Sequence, residues 1–340
     1  MTSVGDTLLQ GLRVCLESTG FNTTLSHEIP VLGADNMQKS AKEFSDKFDE
    51  RLKAAKKEKV RIVVKEQYKE AFEILEDCEN SGLIPGLIGP PGVGKTLLLR
   101  AYAEKSGRDF EWLTGDEGVR PAHLIGSFNP SLVLSKGFTL ESFDPGPLLK
   151  SMILGGVFGL NEANRLPEYV QNSLLEPFEE WSATVPRLGR IKASDDFFPV
   201  LTLNPSEMSG AHRLSEALRD RIRVWIRLGY PRKATEIEIV KMNCPEYKLS
   251  DNTLESIYSL VSATRVSTDI ETPGSIRAGI SIARLSAEIA KREGVSDVTH
   301  GILSKAATYV LSGALRFRPG IDPEPAVNSL VRRALGSGGS

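Results

Sequence analysis

The feature that most constrains this chain is a glycine-rich octapeptide, GPPGVGKT, at residues 89–96. The apolar run LIPGLI before it predicts a strand, and TLLLRAYAEK after it is typical of a helix. Glycines allow consecutive backbone N–H groups to converge on one anion, and the N-terminus of the following helix adds a favourable dipole. A glycine and proline turn without a ligand is the alternative, but the strand–loop–helix setting favours a loop that binds nucleotide phosphates.

The loop supplies one fixed cation and one hydroxyl. Lys95 should reach the β- and γ-phosphates of ATP, and the Thr96 hydroxyl should ligate Mg²⁺. The predicted ATP-binding residues are Gly89, Pro90, Pro91, Gly92, Val93, Gly94, Lys95, Thr96 and Leu97.

A second apolar run ends in polar residues, as a nucleotide-hydrolysing site requires. GGVFGLNE at 155–162 predicts a strand that ends at Asn161 and Glu162. Glu162 could polarise the attacking water, whereas Asn161, in the position where Asp is expected, brings no negative charge and would hold Mg²⁺ only through a water molecule. Weaker metal retention or slower turnover is therefore expected. A plain core strand is the alternative.

Short apolar runs alternate with helical patterns up to residue 228, which favours a mainly parallel sheet covered on both faces. The five strand candidates are Gly82–Ile88, Phe110–Leu113, Gly156–Leu160, Pro199–Leu203 and Val224–Leu228. After Pro231 the pattern becomes all-helical, with helices predicted over Asp251–Arg265, over Pro273–Glu293 with a proline in the first turn, and after Ser296.

These changes divide the 340 residues into four predicted regions. Residues 1–60 are a mostly helical extension, 61–230 an α/β core, 231–320 a helical domain, and 321–340 a C-terminal segment with a flexible Gly/Ser tail. In the extension, Phe44, Phe48 and Leu52 form a thin apolar stripe on a charged helix. A packed surface helix is favoured there over a lysine-rich arm that binds nucleic acid.

Composition narrows the function classes. A net charge of −2 lacks the basic excess of proteins that coat nucleic acid, so that role is disfavoured. No apolar run reaches the roughly 20 residues needed to cross a bilayer, and the N-terminus does not resemble a secretory signal. Cys15, Cys78 and Cys244 are far apart and predict reduced thiols in a cytoplasmic protein.

Further motifs, taken in order, resemble the MoxR-like branch of the AAA+ ATPases over roughly residues 62–320. The segments that resemble the family's are FDPGPLL at 143–149, NEANRLPE at 161–168, QNSLLEPFEE at 171–180, LNP at 203–205, LSEALRDR at 214–221 and SIRA at 275–278. The resemblance implies an α/β AAA+ P-loop core, with a parallel sheet in the order 5-1-4-3-2 and a C-terminal helical lid.

The same resemblance assigns roles to three further residues. Asn204 matches the sensor-1 position, Arg221 the arginine finger that reaches a neighbouring subunit's ATP, and Arg277 the sensor-2 arginine. Arg219 and Arg223 flank Arg221, so the finger assignment could be off by two residues. A surface ion pair is the alternative for each arginine.

Two insertions are also expected from the family. Arg120–Lys150 fits the insert before the second acidic strand, and Trp181–Phe197 fits a β-hairpin with Leu188-Gly189 at its tip. Such loops would line or crown the pore of a ring, or Phe128 and Phe138 could instead be core residues.

The resemblance implies an ATP hydrolase that needs Mg²⁺ and that remodels, assembles or activates protein complexes. The missing charge at Asn161 predicts that its turnover is slow. A homo-hexamer, a protein client and a von Willebrand A-domain partner protein are the expected partners, in the cytoplasm. Two other function classes stay open. One is a nucleic-acid-directed motor such as a helicase or loader, and the other is an ATP-binding scaffold that scarcely hydrolyses.

Overall fold

A computed structural model describes residues 62–205 and 213–336. The predicted extension at 1–60, Cys15 and the tail residues 337–340 lie outside this range. By their internal contacts the residues form two compact units. The first unit comprises Phe72–Ile88 and Thr96–Arg227, and the second comprises Gly89–Lys95 with the described parts of 61–71 and 228–340.

The first unit is built on a five-stranded parallel sheet. The strands before residue 228 are β1 Ile84–Ile88, β2 Phe110–Thr114, β3 Gly126–Phe128, β4 Phe143–Pro145, β5 Val157–Asn161, β6 Ser182–Val185, β7 Gly189–Lys192, β8 Phe198–Leu203 and β9 Ile222–Arg227. The sheet order is β2-β5-β8-β1-β9. When only these five strands are numbered in chain order, the sheet order reads 5-1-4-3-2 from the β9 edge, so the predicted order is confirmed. Each predicted strand is present, and its ends differ from the observed ends by two residues at most.

Burial explains which strands are central. Every residue of β1 and β8 is buried, as expected of strands covered on both faces. The edge strands β2 and β9 alternate between exposed and more buried residues. Continuous apolar runs therefore occupy the middle of the sheet and mixed runs its edges.

Helices and two small hairpins complete the chain before residue 228. The helices are α1 Gln67–Asn80, α2 Lys95–Lys105, α3 Pro121–Ile125, α4 Pro130–Lys136, α5 Pro147–Leu154, α6 Glu168–Asn172, α7 Leu175–Glu179 and α8 Glu216–Arg221. β3 pairs antiparallel with β4, and β6 with β7. The hairpin predicted over Trp181–Phe197 is thus confirmed. Its connection spans 186–188, slightly before the predicted tip, because Arg187 already adopts a left-handed conformation with φ of 70°.

The second unit contains the all-helical region. Its elements after residue 228 are α9 Lys233–Met242, α10 Asp251–Val266, β10 Ile270–Thr272, α11 Ile276–Glu293, α12 His300–Ala314, β11 Arg316–Phe317 and α13 Pro323–Leu335. Its core includes the fully buried side chains of Leu260, Ile282, Leu311 and Val327. The last of these lies on α13, so the helix in the C-terminal segment packs with the helices of 231–320.

Some of the helix boundaries predicted for this unit agree with the structure, and one does not. The helix predicted over Asp251–Arg265 is found almost as expected, and Gly294 ends α11 in a left-handed conformation. The prediction that α11 opens with Pro273 in its first turn is wrong. Ile270–Thr272 pairs with β11 instead, so Pro273 lies in the link from that strand and the helix starts at Ile276.

Candidate nucleotide site

The glycine-rich loop begins directly after β1 and ends where α2 begins at Lys95. Gly92 and Gly94 have φ values of 74° and 94°, a region that side chains with a Cβ rarely adopt. The two glycines therefore permit a backbone that an ordinary sequence could not hold. This supports the prediction of a phosphate loop from the local sequence alone.

Neighbouring parts of the second unit pack closely on the loop. A Cβ added to Gly89 would lie 2.5 Å from the Leu228 carbonyl oxygen. One added to Gly92 would lie 2.6 Å from Cβ of Ser275 and 3.7 Å from Cγ of Arg277. At Gly89 and Gly92 there is thus room for backbone only, and the structure brings the predicted sensor-2 residue Arg277 to the loop.

The lysine of the loop is buried, with 6% of its surface exposed. Lys95 Nζ donates to the carbonyl oxygen of Gly89 at 2.6 Å and to that of Pro90 at 3.2 Å. Its ammonium is therefore held within the loop, where an anion would find it already in place. Thr96 and Leu97 follow in the first turn of α2.

The start of α1 supports the loop from the same unit. The Tyr68 hydroxyl donates to the Val93 carbonyl oxygen at 2.9 Å, and burial raises the pKa of this phenol to about 12. The side-chain amide of Gln67 donates to the Gly229 carbonyl at 2.7 Å and accepts from its N–H at 3.1 Å. These bonds join three separate chain segments around the loop.

An open pocket of about 640 Å³ lies in this part of the second unit. It is lined by Glu66, Gln67, Glu70, Tyr230, Pro231 and Arg232. Gln67 lines the pocket, and the next residue, Tyr68, bonds the loop. Two consecutive residues of α1 therefore contact the pocket and the loop.

The polar end of β5 lies in the first unit. Glu162, directly after the strand, is left-handed with φ of 52° and ψ of 45°, which is strained for a residue with a side chain. Its carboxylate accepts from Asn204 Nδ2 at 3.2 Å and from Arg165 at 2.8 Å. Asn204 follows β8, the neighbouring strand, and is 4% exposed. The structure thus brings the predicted pair Glu162 and Asn204 together.

Asn161 has a partner that sequence reasoning missed. The Thr202 hydroxyl donates to Asn161 Oδ1 at 2.6 Å. The hydroxyl uses one of the two lone pairs of this oxygen, so the amide keeps a single further acceptor position for a metal-bound water. Thr202 is a buried hydroxyl in an otherwise apolar strand, and that isolated polar residue was the available signal.

Gly115 was also missed. It follows β2 and is buried, and its N–H donates to the Asn161 carbonyl oxygen at 2.6 Å. A Cβ at this position would overlap the carbonyl oxygen of Glu162. The glycine therefore allows the strained turn at Glu162 to lie against the neighbouring strand end. A glycine two residues beyond the predicted strand Phe110–Leu113 was the available sequence signal.

The candidate finger arginines lie on two consecutive elements, Arg219 and Arg221 on α8 and Arg223 on β9. Arg221, the last residue of α8, donates to the Ala217 carbonyl at 2.9 Å and pairs with Glu179. Arg223 pairs with Asp220 at 3.3 Å, whereas Arg219 is exposed on α8. The arginine-finger role of Arg221 stays a prediction, because it concerns a neighbouring subunit.

The aromatic residues of the inserts form a small cluster of their own. Phe128 packs edge-on against Phe143 and Phe138, with ring centroids 5.0 Å apart in both pairs. The Arg187 guanidinium lies 3.8 Å from the centroid of Phe138, which joins the two inserts. Phe143 is buried while Phe138 is 47% exposed, so the cluster grades from core to surface.

Among the described residues, no helix combines the length and apolarity that a membrane span requires. Within the same ranges, no group of three or more His, Cys, Asp or Glu side chains is arranged to hold a metal ion.

Comparison with known proteins supports the same fold and family. The family described as AAA domain (dynein-related subfamily) matches residues 86–222. The chain is 30% identical over 202 residues to the uncharacterised protein YeaC of Bacillus subtilis, covering 59% of this chain and 58% of YeaC. It is 30% identical over 200 residues to the gas vesicle ATPase GvpN of Haloferax mediterranei, covering 54% and 57%.

A third relative carries a chaperone name. The chain is 33% identical over 157 residues to the chaperone MoxR1 of Mycobacterium tuberculosis, covering 45% of this chain and 38% of MoxR1. The chain thus spans well under two thirds of the length of each of these three relatives.

Solved structures show likeness of fold. NtrX from Brucella abortus, solved with ADP, superposes with a TM-score of 0.52 at 16% identity, covering 80% of this chain and 60% of NtrX. Cdc6p from Pyrobaculum aerophilum gives a TM-score of 0.51 at 16% identity, covering 75% and 69%. Taken with the sheet order and the phosphate loop, these findings show that the chain has the AAA+ P-loop fold and is similar to MoxR-like AAA+ ATPases.

Proposed function

We propose that the protein binds and hydrolyses ATP to remodel, assemble or activate protein complexes. The observation that carries the proposal is the phosphate loop of the second unit. Gly92 and Gly94 adopt φ values that side chains with a Cβ rarely adopt, the lysine is buried against loop carbonyls, and the turn that carries Arg277 packs on Gly92.

Binding of ATP would use groups that are already in position. Phosphate oxygens are stronger acceptors than the carbonyls of Gly89 and Pro90, because charge-assisted hydrogen bonds exceed neutral ones. Lys95 would therefore exchange loop carbonyls for the β- and γ-phosphates. The open pocket lined by Gln67 and Tyr230 is the proposed place for the base, since Tyr230 offers it an aromatic ring.

Hydrolysis is assigned to the first unit. Glu162 would orient and deprotonate the attacking water, with Asn204 holding the carboxylate or the water, and Arg221 would stabilise charge on a neighbouring subunit's ATP. Magnesium would enter with the phosphates and neutralise the developing charge. Of the protein groups, the Thr96 hydroxyl fits that ion, whereas Asn161, bonded to Thr202, would contribute only weakly through water.

A protein client is favoured over nucleic acid. The net charge of −2 offers no basic excess for a phosphate backbone, and one relative of this chain is named a chaperone. We further propose that the protein forms a homo-hexamer and acts with a von Willebrand A-domain partner. We also propose a cytoplasmic location, because Cys78 and Cys244 are free buried thiols.

A second candidate function is an ATP-gated scaffold with weak hydrolysis. The bond between Thr202 and Asn161 favours it, because it uses one of the two lone pairs of the only oxygen that this amide could offer to a metal-bound water. Phosphate release measured beside ATP affinity separates the two candidates. Tight binding with turnover far below that of Asn161→Asp would favour the scaffold.

The binding proposal is tested with Lys95→Ala. Loss of the loop's fixed cation should abolish binding of a fluorescent ATP analogue. Lys105→Ala is the matched control, because that lysine lies at the other end of α2, is exposed and pairs with Glu76. Lys95→Ala protein that binds at wild-type affinity would overturn the assigned site.

The client class is tested with Glu162→Gln, which should bind ATP without hydrolysing it. Pull-downs with and without ATP should then retain a protein client only when ATP is present. Filter binding with DNA is the parallel assay. ATP-dependent retention of DNA in place of protein would favour the nucleic-acid-directed motor.

A further inference from the structure

A buried ion pair in the second unit lies outside the groups discussed so far. Arg265, near the end of α10, donates to both carboxylate oxygens of Glu236 at 2.6 and 2.7 Å. The Glu236 side chain is 2% exposed and that of Arg265 is 13% exposed. Such a fork-to-fork pair fixes the plane of the guanidinium as well as its position.

The remaining faces of the guanidinium are also engaged. Its Nε donates to the Gly274 carbonyl oxygen at 3.3 Å, and its central carbon lies 3.7 Å from the centroid of the Tyr230 ring. The N–H of Gly274 is held by the Thr264 hydroxyl at 2.8 Å. Arg265 and its neighbour on α10 thus hold both polar groups of one glycine.

That glycine directly precedes the turn that carries the sensor-2 arginine. Ser275 contacts the position of a Cβ on Gly92, and Arg277 lies one residue inside α11. Gly274 follows Pro273, so little of the chain before the turn is free to move once its carbonyl and N–H are bonded. The place of Arg277 relative to the phosphate loop therefore depends on what holds Gly274.

Stability alone does not account for an arginine at this position. The desolvation cost of a buried ion pair offsets much of its attraction, and well-packed apolar residues often replace such pairs without loss. An apolar residue could not bond the Gly274 carbonyl or fix its direction. Geometry at the turn is the property that requires the guanidinium.

We propose that Arg265 is a positioning residue for nucleotide sensing, which holds the Ser275–Arg277 turn against the phosphate loop and so sets the preference for ATP over ADP. This inference rests on the proposed function, because it takes Arg277 to contact the γ-phosphate. Arg265 itself does not touch the nucleotide in this proposal. It acts through Gly274.

The test is the ratio of ATP to ADP affinity, measured by competition with a fluorescent nucleotide on the full chain. Arg277→Ala should lower this ratio roughly tenfold, the size of a hydrogen bond to a charged group. Arg265→Met should lower it by a similar factor with ADP affinity nearly unchanged. The double variant should lose no more than Arg277→Ala alone, because both changes remove one interaction.

Two controls separate positioning from general stability. Ile282→Ala removes a fully buried side chain from α11 and should lower Tm while leaving the ratio at its wild-type value. Arg284→Met removes another arginine of this unit that donates to a backbone carbonyl, that of Asn243 at 2.7 Å, and should also leave the ratio unchanged.

Arg265→Lys provides the measurement if the methionine variant fails to fold. Lysine keeps a positive charge beside Glu236 but lacks the planar fork, so the ratio should still fall. The proposal is overturned by an unchanged ratio in the folded Arg265 variants, by losses that multiply in the double variant, or by a wild-type protein without preference for ATP. Wild-type protein that binds neither nucleotide would instead overturn the proposed function.

Discussion

The phosphate loop of the second unit and the polar strand ends of the first unit are built by different means. The loop takes its form from consecutive residues, with glycines at the φ values that need them and a lysine at its end. The strand-end group, Asn161, Glu162 and Asn204, joins residues 42 positions apart in the chain through a side-chain bond. Binding groups thus lie mainly in the second unit and the proposed hydrolytic groups in the first, so variants of the two should affect different steps.

Among variants that test this division between the two units, Arg221→Ala in the first unit should have the largest effect. Hydrolysis should fall by roughly 10³-fold or more, the range attributed to arginine fingers, with ATP binding near normal. Phosphate release and analogue binding measure the two steps. Arg219→Ala and Arg223→Ala are the matched variants, and a larger loss in either would move the finger to that position.

Mixing Arg221→Ala with Lys95→Ala subunits tests whether the finger acts between subunits. One partner supplies the arginine and the other an intact phosphate loop, so part of the activity should return. Mixed rings that stay inactive would count against action in trans.

The substitution Gly115→Ala should lower the rate of hydrolysis although it replaces no charged side chain. In Gly115→Ala, the new Cβ would push against the Glu162 carbonyl and displace the strained turn. Turnover should fall on the order of 10²-fold, as for a misplacement near 1 Å, with ATP affinity almost unchanged. Gly313→Ala is the control, because nothing lies within 4 Å of its added Cβ and alanine favours the helix there. An equal loss of binding in Gly115→Ala would contradict the division of roles.

Asn161→Asp should raise activity. Aspartate could still accept from Thr202 with one oxygen, and its second oxygen would place negative charge near the expected metal. Screening by water and phosphates keeps the gain at about 1–2 kcal/mol. Hydrolysis at limiting Mg²⁺ should then rise roughly 5–30-fold.

A magnesium titration distinguishes two causes of that gain. The gain should shrink at saturating Mg²⁺ if Asn161 weakens only metal retention, and persist if aspartate also holds the catalytic geometry. If hydrolysis depends on Mg²⁺ in the same way for Asn161→Asp and for the present sequence, asparagine at this position has no effect on activity.

The smallest effect is expected in the second unit, at the phenol that bonds the loop. Tyr68→Phe removes the donor to Val93, which should weaken ATP binding a few-fold, in line with about 1 kcal/mol for one hydrogen bond. Since the pKa of Tyr68 is raised from 10 to about 12, its contribution to stability is complete below pH 10 and is lost as the pH rises through 12. Thermal melts of both proteins from pH 8 to 12 should therefore show a weaker alkaline fall in Tm for Tyr68→Phe. Parallel profiles would exclude this role.

Local patterns predicted much of the fold because they depend on neighbouring residues. The runs that became β1 and β8 are apolar except for Thr202, as strands buried on both faces favour, and Gly294 ends its helix as a left-handed glycine should. The start of α11 was misjudged because the competing strand β10 depends on pairing with Arg316–Phe317, more than forty residues away.

The sequence by itself determined the phosphate loop, the five strands of the parallel sheet and the polar end of β5, since each follows from local conformational preference and residue chemistry. Only the tertiary structure decided that Thr202 occupies the Asn161 amide, that Gly115 makes room for the turn at Glu162, and that Arg265 holds the link before Arg277. Those contacts join residues from separate strands and helices. Their distances depend on how the elements pack, which no local pattern records.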